Sequence, residues 1–587
     1  MGFPAIAKSE AGDGILDICV VGAGPHGLAF LTHFLSSPEH LDHFDEHPNN
    51  TTLYSHSHDQ TQRHRIRCKV HDTGALRSKR SGQEIYKHFI SRASTTSHRT
   101  NLKLHHGLKV LHVKNQNHIP TRVCILDRCG EAFLRKWDTH FDVLDIPFLR
   151  STTHQHPDPL DLGLLSSFAH HTKRYQELVP LKLTGSQEDV DHGRNKAFRG
   201  PYLRPSKLLF RDFIRGLVKG FHLDGAVNCA DLTKIEAVVV GDHVDGRTCI
   251  SGFRITYRNG RDGSDHVVLA KRVILAVGHA NLLSIPDWAV QSFGESFPKG
   301  RLLHYEELVS AMAMTERIDI CRYFHSLIES EGCERSISSP LEHMRILIVG
   351  GGQTSVHLAQ LAVSKLGSHP SNITFLTRST LRSQPFDISL QWLSTTRYES
   401  MASFWTANHE HRGRMLREAR GGSNAGSGAS VDAECVNWLR SSGIHVKEEC
   451  EVLSASWLPT PTTSGEWKLK LWDDLNCNEE DLTCDLIWLA TGNAMDFRKE
   501  PVVESLQTSL QTHGLEIRTQ GKLPVLNQDL SLQLVDCMGC MARPDHGVGV
   551  HVMGAYAALE LGPGALNLMG ARAGACRISR SIRHLIS

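Results

Sequence analysis

Two glycine fingerprints of one kind, set in different halves of a 587-residue chain, constrain its fold more than any other feature. The first, Gly22-Ala23-Gly24-Pro25-His26-Gly27, closes a short apolar run through Ile15, Leu16, Ile18, Val20 and Val21. The second, Gly350-Gly351-Gly352-Gln353-Thr354-Ser355, closes Ile346-Leu347-Ile348-Val349. Each spells strand, tight turn and helix. The first glycine permits the turn, the second lets backbone approach a pyrophosphate, and the third position stays small so that helix and strand pack. Free amides at the helix start then face the phosphates. Two such units predict an α/β chain with two Rossmann-like dinucleotide-binding domains.

The strand after each fingerprint should end in the residue that reads a ribose. After the first, a polar stretch over about 40–118 intervenes. It is rich in His, Ser, Thr, Asn and Arg, without sustained periodicity, and reads as a disordered or poorly packed insertion. The awaited strand then comes as Arg122-Val123-Cys124-Ile125-Leu126-Asp127, which gives the ribose role to Asp127. Trp137 follows in an aromatic segment suited to packing on the same unit. After the second fingerprint the strand Asn372–Leu376 ends in Thr377-Arg378-Ser379. An acid there would suit a bare 2′-hydroxyl, whereas Arg378 suits a 2′-phosphate. Gly350, Gly352, Gln353 and Ser355 are read as cradling the phosphates of that coenzyme. Two apolar strands end in Ala276-Val277-Gly278 and Ala490-Thr491-Gly492, where glycine lets the chain pass close to a cofactor.

Composition excludes several classes. With 40% hydrophobic and 22% charged residues the chain is ordinary for a globular protein, and a formal charge of +1 offers no electrostatic attraction to nucleic acid or an anionic membrane. The apolar runs have strand length, and the start of the sequence carries no apolar signal core, so a cytoplasmic protein without a membrane span is expected. The histidines of 40–118 are irregularly spaced, and no metal site is assigned. Cys537-Met538-Gly539-Cys540 has redox-motif spacing, which keeps an NADPH-dependent disulfide reductase open, although the pair lies in the closing segment.

The chain resembles the class B flavoprotein monooxygenases that bind two dinucleotides, FAD and NADPH, and most of all the ornithine/lysine N-hydroxylating family. The resemblance is carried by Gly22-Ala23-Gly24-Pro25-His26-Gly27, Gly350 to Ser355, Asp485 to Gly492, the Asp158-Pro159 loop, and Tyr202 to Phe213. It departs from the family at Asn493, where tyrosine is usual. The resemblance implies an NADP domain (341–496, with a Gly/Ser-rich linker near 421–430) inserted in an FAD domain (15–340 and 497–587) after a tail at 1–14, with a smaller helical substrate region. It implies that Gly22, Gly24, Pro25 and Gly27 hold the FAD pyrophosphate and that Asn567 and Leu568 touch the flavin end. It further implies that NADPH reduces FAD, that a C4a-hydroperoxyflavin forms with O₂, and that a small amine is N-hydroxylated, leaving little for protein catalytic residues to do. A Gly300-x3-His304 spacing shared with Baeyer–Villiger and related flavin monooxygenases keeps ketone or sulfide oxygenation open, and an inactive flavin-binding regulator is a further alternative. Oligomeric state is not readable.

Overall fold

The computed structural model describes residues 15–36, 99–105, 107–114, 120–159, 162–181, 202–241, 248–278, 282–292, 300–314, 341–393, 397–420, 430–458, 465–536, 541–542 and 547–583. Its first sheet is built around the strand Leu16–Val21, which pairs in parallel with Thr121–Asp127 on one side and with Asp265–Leu275 on the other. Gly549–Val552 adds a further parallel strand beyond Asp265–Leu275. Val227–Gly241, Thr248–Asn259 and Asp265–Leu275 form an antiparallel meander. Ile18, Cys19 and Val20 are fully buried, as continuous apolar runs must be when both faces of a parallel sheet are covered.

The second sheet is all parallel, in the order Leu302–His304, Leu486–Leu489, Ile346–Val349, Ile373–Leu376, His445–Lys447. Its strands fall in sequence between Asp265–Leu275 and Gly549–Val552 of the first sheet. A smaller antiparallel sheet of Cys450–Leu458, Glu466–Asp473 and Asn478–Cys484 packs beside it, burying Trp467.

One expectation is corrected. Part of the segment taken as a disordered insertion is a β-hairpin: Arg99–His105 pairs with Leu108–Lys114, which continues the first sheet against Thr121–Asp127. Val110, Leu111 and Val113 are buried, so a short apolar pattern inside a polar stretch sufficed once a sheet edge was available to pair with. Residues 37–98 and most of the Gly/Ser-rich linker lie outside the described residues.

Two arginines tie the halves together. Arg204, on the strand Leu203–Pro205, bonds Asp432 at 2.7 Å and Glu434 at 3.1 Å, at the start of the helix Ala433–Ser441. Arg150 bonds Asp387 at 2.7 Å and donates to the carbonyl oxygens of Gln384 and Ser430 at 2.8 and 3.2 Å. The Arg204 and Asp432 side chains are each only 11% exposed. Breaking such a pair from one side leaves a charge stranded in low dielectric. Asp432→Ala should therefore lower stability by about 3–5 kcal/mol in chemical denaturation, and Arg204→Met with Asp432→Leu by clearly less. Equal losses would show that the desolvated pair is not the cause.

Buried histidines set the acid response. Burial, with the nearby Arg572 charge, pushes both His33 and His156 down to about 3. The unfolded chain protonates these rings near pH 6.5 while the folded one does not, so unfolding takes up protons and stability falls as pH drops below that value. Stability measured by chemical denaturation should fall between roughly pH 6 and 4, and His33→Gln should reduce the proton uptake on unfolding by about one.

Candidate functional site

A cavity of about 1620 Å³ runs between the two glycine turns. Sites for one drug-sized ligand hold roughly 300–1000 Å³, so this space suits more than one large ligand. Gly22, Gly24 and Pro25 line it from the first sheet, Gly352 and Gln353 from the second.

The three glycines of the first turn divide their tasks. Gly22 has φ +103°, and a Cβ there would stand 2.5 Å from the Ala276 carbonyl oxygen. A Cβ on Gly27 would fall on the Gly22 carbonyl oxygen. Both positions are therefore closed by backbone, which presses the helix Pro25–Phe34 onto the turn. At Gly24, by contrast, no atom lies within 4 Å of where a Cβ would be. This is the open cradle that a pyrophosphate needs. Asp127 stands at the adjacent strand end, its carboxylate accepting from the amides of Ala23 and Cys129, both at 2.7 Å. Trp137 lines the cavity and stacks on Phe141 with centroids 3.7 Å apart. Gly278, at φ +71°, lines it as well.

The second turn repeats the arrangement with differences. Gly350, at φ +140°, is packed against the Ala490 carbonyl and shapes the turn rather than facing the cavity. Ser355 is fully buried and its hydroxyl donates to the Gly352 carbonyl at 2.6 Å. Its side chain is thus used within the turn, so the expectation that it cradles phosphate meets a hydroxyl already engaged. Gln353 lines the cavity and is braced on both sides: its carbonyl accepts from the Asp432 amide at 2.7 Å and its amide nitrogen lies 3.1 Å from His357. Arg378, at the end of Ile373–Leu376, is 72% exposed, 4.0 Å from Glu451, and outside the cavity lining. Gly492, at φ +76°, is also outside it, its carbonyl accepting from His304 at 3.0 Å. That bond gives His304 a joining role between strands, and burial lowers its pKa so that the ring stays neutral.

The departure at Asn493 has a local partner. The Tyr305 hydroxyl lies 3.0 Å from Asn493 Oδ1, so a phenol reaches this position from a neighbouring helix. Tyr305 also lies 3.0 Å from Glu306. Although burial opposes it, the hydrogen bonds and charges of His140 and Lys136 hold the Glu306 carboxyl well below the usual carboxylate range. At the far wall, Asn567 and Leu568 line the cavity where the helix Leu568–Ile582 begins, its N-terminal end favouring electron-rich groups. Among the cavity residues that sequence reasoning missed are Arg150, Arg204, Arg420, Asp432 and Cys435, which lie in loops, a three-residue strand and helix ends without a periodic signal.

Cys537 and Cys540 lie outside the described residues. Among the described residues no group of three or more His, Cys, Asp or Glu is placed to hold a metal ion, and no helix is long and apolar enough to cross a membrane.

The L-lysine 6-monooxygenase/L-ornithine 5-monooxygenase family profile matches residues 233–495. No curated protein sequence matches the chain. Among solved structures, the chain is similar to the ornithine hydroxylase of Pseudomonas aeruginosa in its reduced form, with 14% identity, a TM-score of 0.55, and coverage of 97% of this chain and 99% of that one. It is similar to the ornithine N-hydroxylase of Kutzneria sp. 744, determined with reduced FAD, NADP⁺ and L-ornithine, at 12% identity, TM-score 0.55, and 97% and 100% coverage. It is also similar to the L-lysine 6-monooxygenase of Pseudomonas syringae, at 14% identity, TM-score 0.52, and 97% and 100% coverage. With the two sheets and the cavity between their glycine turns, these matches identify the chain as similar to the flavin-dependent N-hydroxylating monooxygenases, a family of oxidoreductases, the family profile covering residues 233–495.

Proposed function

We propose that the protein N-hydroxylates a small primary amine, using FAD, NADPH and O₂. The observation that carries the reading is the cavity walled by both glycine turns, with an open cradle at Gly24 and Gly352–Gln353 facing it. On this reading FAD lies along the first sheet, its pyrophosphate at Gly22, Gly24, Pro25 and Gly27 and its ribose at Asp127. NADPH lies along the second, with Gly350, Gly352 and Gln353 forming the turn and Arg378 taking the 2′-phosphate. Bound there, the flavin supplies oxygen activation and the coenzyme supplies hydride.

The chain's own groups then act by position. Asn567 and Leu568, at the start of the Leu568–Ile582 helix, would hold the flavin end, where the helix N-terminus favours electron-rich groups. Trp137 and Phe141 give one wall an apolar, water-excluding face. Exclusion of water strengthens each polar contact and protects an oxidising site from wasteful hydrolysis.

The test is oxygen uptake by purified, flavin-loaded protein with NADPH and a series of amines, with hydroxylamine product measured directly. NADPH consumption that yields only hydrogen peroxide with every amine would defeat the proposal. Gly24→Val should leave the thermal transition nearly in place yet lose bound flavin, while Gly27→Ala should lower the transition itself, because only the second substituent meets backbone. Arg378→Ala should raise KM for NADPH roughly tenfold and leave that for NADH nearly unchanged. Equal effects on the two coenzymes would remove Arg378 from the 2′-phosphate.

A further inference from the structure

We infer that Arg412 is a positioning residue for the flavin site: it pins a helical pair onto the segment that leads into the flavin end, so that one face of the pair stands as a fixed wall of the cavity. Its consequence for turnover rests on the N-hydroxylation reading above. The pair, Arg397–Thr406 and His409–Ala419, falls in sequence between the second sheet's strands Ile373–Leu376 and His445–Lys447. It has a small core of its own, in which Ile388, Trp392, Phe404 and Ala419 are buried together. Its second helix has two faces. His409, Gly413, Leu416 and Arg417 line the cavity at the four- and three-residue steps of one helical face. Arg412, Met415 and Ala419 belong to the other face, where Met415 and Ala419 join the small core.

Within the pair, the Arg412 guanidinium donates to the carbonyl oxygens of Phe404, Trp405 and Ala407 at 3.1, 2.7 and 3.1 Å. Across the gap to the closing segment it donates to the Leu559 carbonyl at 3.0 Å and to the Glu560 carboxylate at 2.9 Å, and the two charged side chains are only 11% and 9% exposed. The rigid fork of a guanidinium reaches acceptors on both sides at once, which no other side chain does. The Trp405 indole N–H adds a bond to the Glu560 carbonyl at 2.8 Å. Gly562 leaves room for Met401, whose sulfur lies 2.9 Å from where a Cβ would stand. The far end of this segment touches the first fingerprint, where His26 Nε2 lies 3.1 Å from the Ala565 oxygen. Asn567 and Leu568 of the cavity follow directly. Residues 559–565 are therefore held between the first glycine turn and the helical pair. Arg577 lies 3.6 Å from the Glu560 carboxylate, so losing Arg412 removes the tether without leaving that carboxylate unpaired. A wall that shifts admits water to an oxidising site. Turnover is then wasted: the hydride of NADPH and a proton reduce O₂ to H₂O₂, and no amine is oxidised.

The experiment uses the full chain, with and without FAD, as wild type, Arg412→Met, Arg412→Lys and Glu560→Gln. Without FAD, Arg412→Met should speed chymotryptic cleavage within residues 397–420 roughly tenfold, since a helical pair that loses its tether opens more often. With FAD, the same variant should raise acrylamide quenching of the flavin fluorescence. It should also lower the hydroxylamine formed per NADPH by roughly 3- to 10-fold, with H₂O₂ making up the difference. NADP⁺ affinity should stay within about threefold. Arg412→Lys should recover part of the loss, because an ammonium reaches fewer of the five acceptors. Glu560→Gln keeps an acceptor in place and should act in the same direction more weakly; it decides by the same readouts should Arg412→Met hold no flavin. Quenching and hydroxylamine yield that stay at wild-type values, even with a lowered thermal transition, would reduce Arg412 to a structural contact and overturn the inference. Tenfold weaker NADP⁺ would overturn it as well, by placing the helical wall on the coenzyme. A wild type that yields only peroxide with every amine would instead sink the N-hydroxylation reading, and quenching and cleavage would still decide for or against the pin.

Discussion

The architecture hinges on a steric condition in two turns. Gly22 lies against the Ala276 carbonyl and Gly27 against the Gly22 carbonyl, so strand, turn and helix meet without side chains between them. Gly350 repeats the condition against Ala490. In both units the backbone that closes the turn is the residue just past a neighbouring parallel strand, Ala276 after Asp265–Leu275 in one case and Ala490 after Leu486–Leu489 in the other. A methyl group at any of these three positions would push the helix start away from the strand end. The open edge of the first turn, at Gly24, faces a cavity only because its closed edge is packed so tightly.

Two turns do not make one site until something fixes their separation. Arg150 and Arg204 perform that task from a loop and a short strand of the first unit, reaching Asp387, Ser430 and Asp432 of the second. Asp432 also donates its amide to Gln353, so the clamp ends on the second fingerprint itself. A charge pair sequestered from water holds a defined geometry because either partner alone would be unsatisfied. Within the second unit His304 and Tyr305 join Gly492 and Asn493, and the adjoining Glu306 reaches Lys136 of the first unit at 2.9 Å.

Much of this was legible because it is local. An apolar run followed by spaced glycines specifies strand, turn and helix within a dozen residues, and at Lys207–Gly220 the Ser206 hydroxyl caps the helix by accepting from the Leu209 amide. Asp127 was identifiable although a long segment separates it from Gly27, since a buried strand ending in an acid has its own pattern. The hairpin Arg99–His105 with Leu108–Lys114 was missed. Its outer strand leaves Leu102 and Leu104 exposed and its turn adjoins histidines, so burial that would have declared it is supplied by one face of a neighbour alone. Ser355 carried the right chemistry for a phosphate, but its hydroxyl found a carbonyl one turn back.

The sequence by itself determined the two nucleotide-binding units and the residues that make their turns, because steric limits on φ and on close backbone approach act between near neighbours. Tertiary structure alone decided that both turns open on one cavity, that Arg378 stands outside its lining while Arg420 faces in, and that Arg150 and Arg204 join the halves. These depend on charges brought together from positions hundreds of residues apart, and their strength comes from the loss of surrounding water, a property of the packed chain and not of any stretch of it.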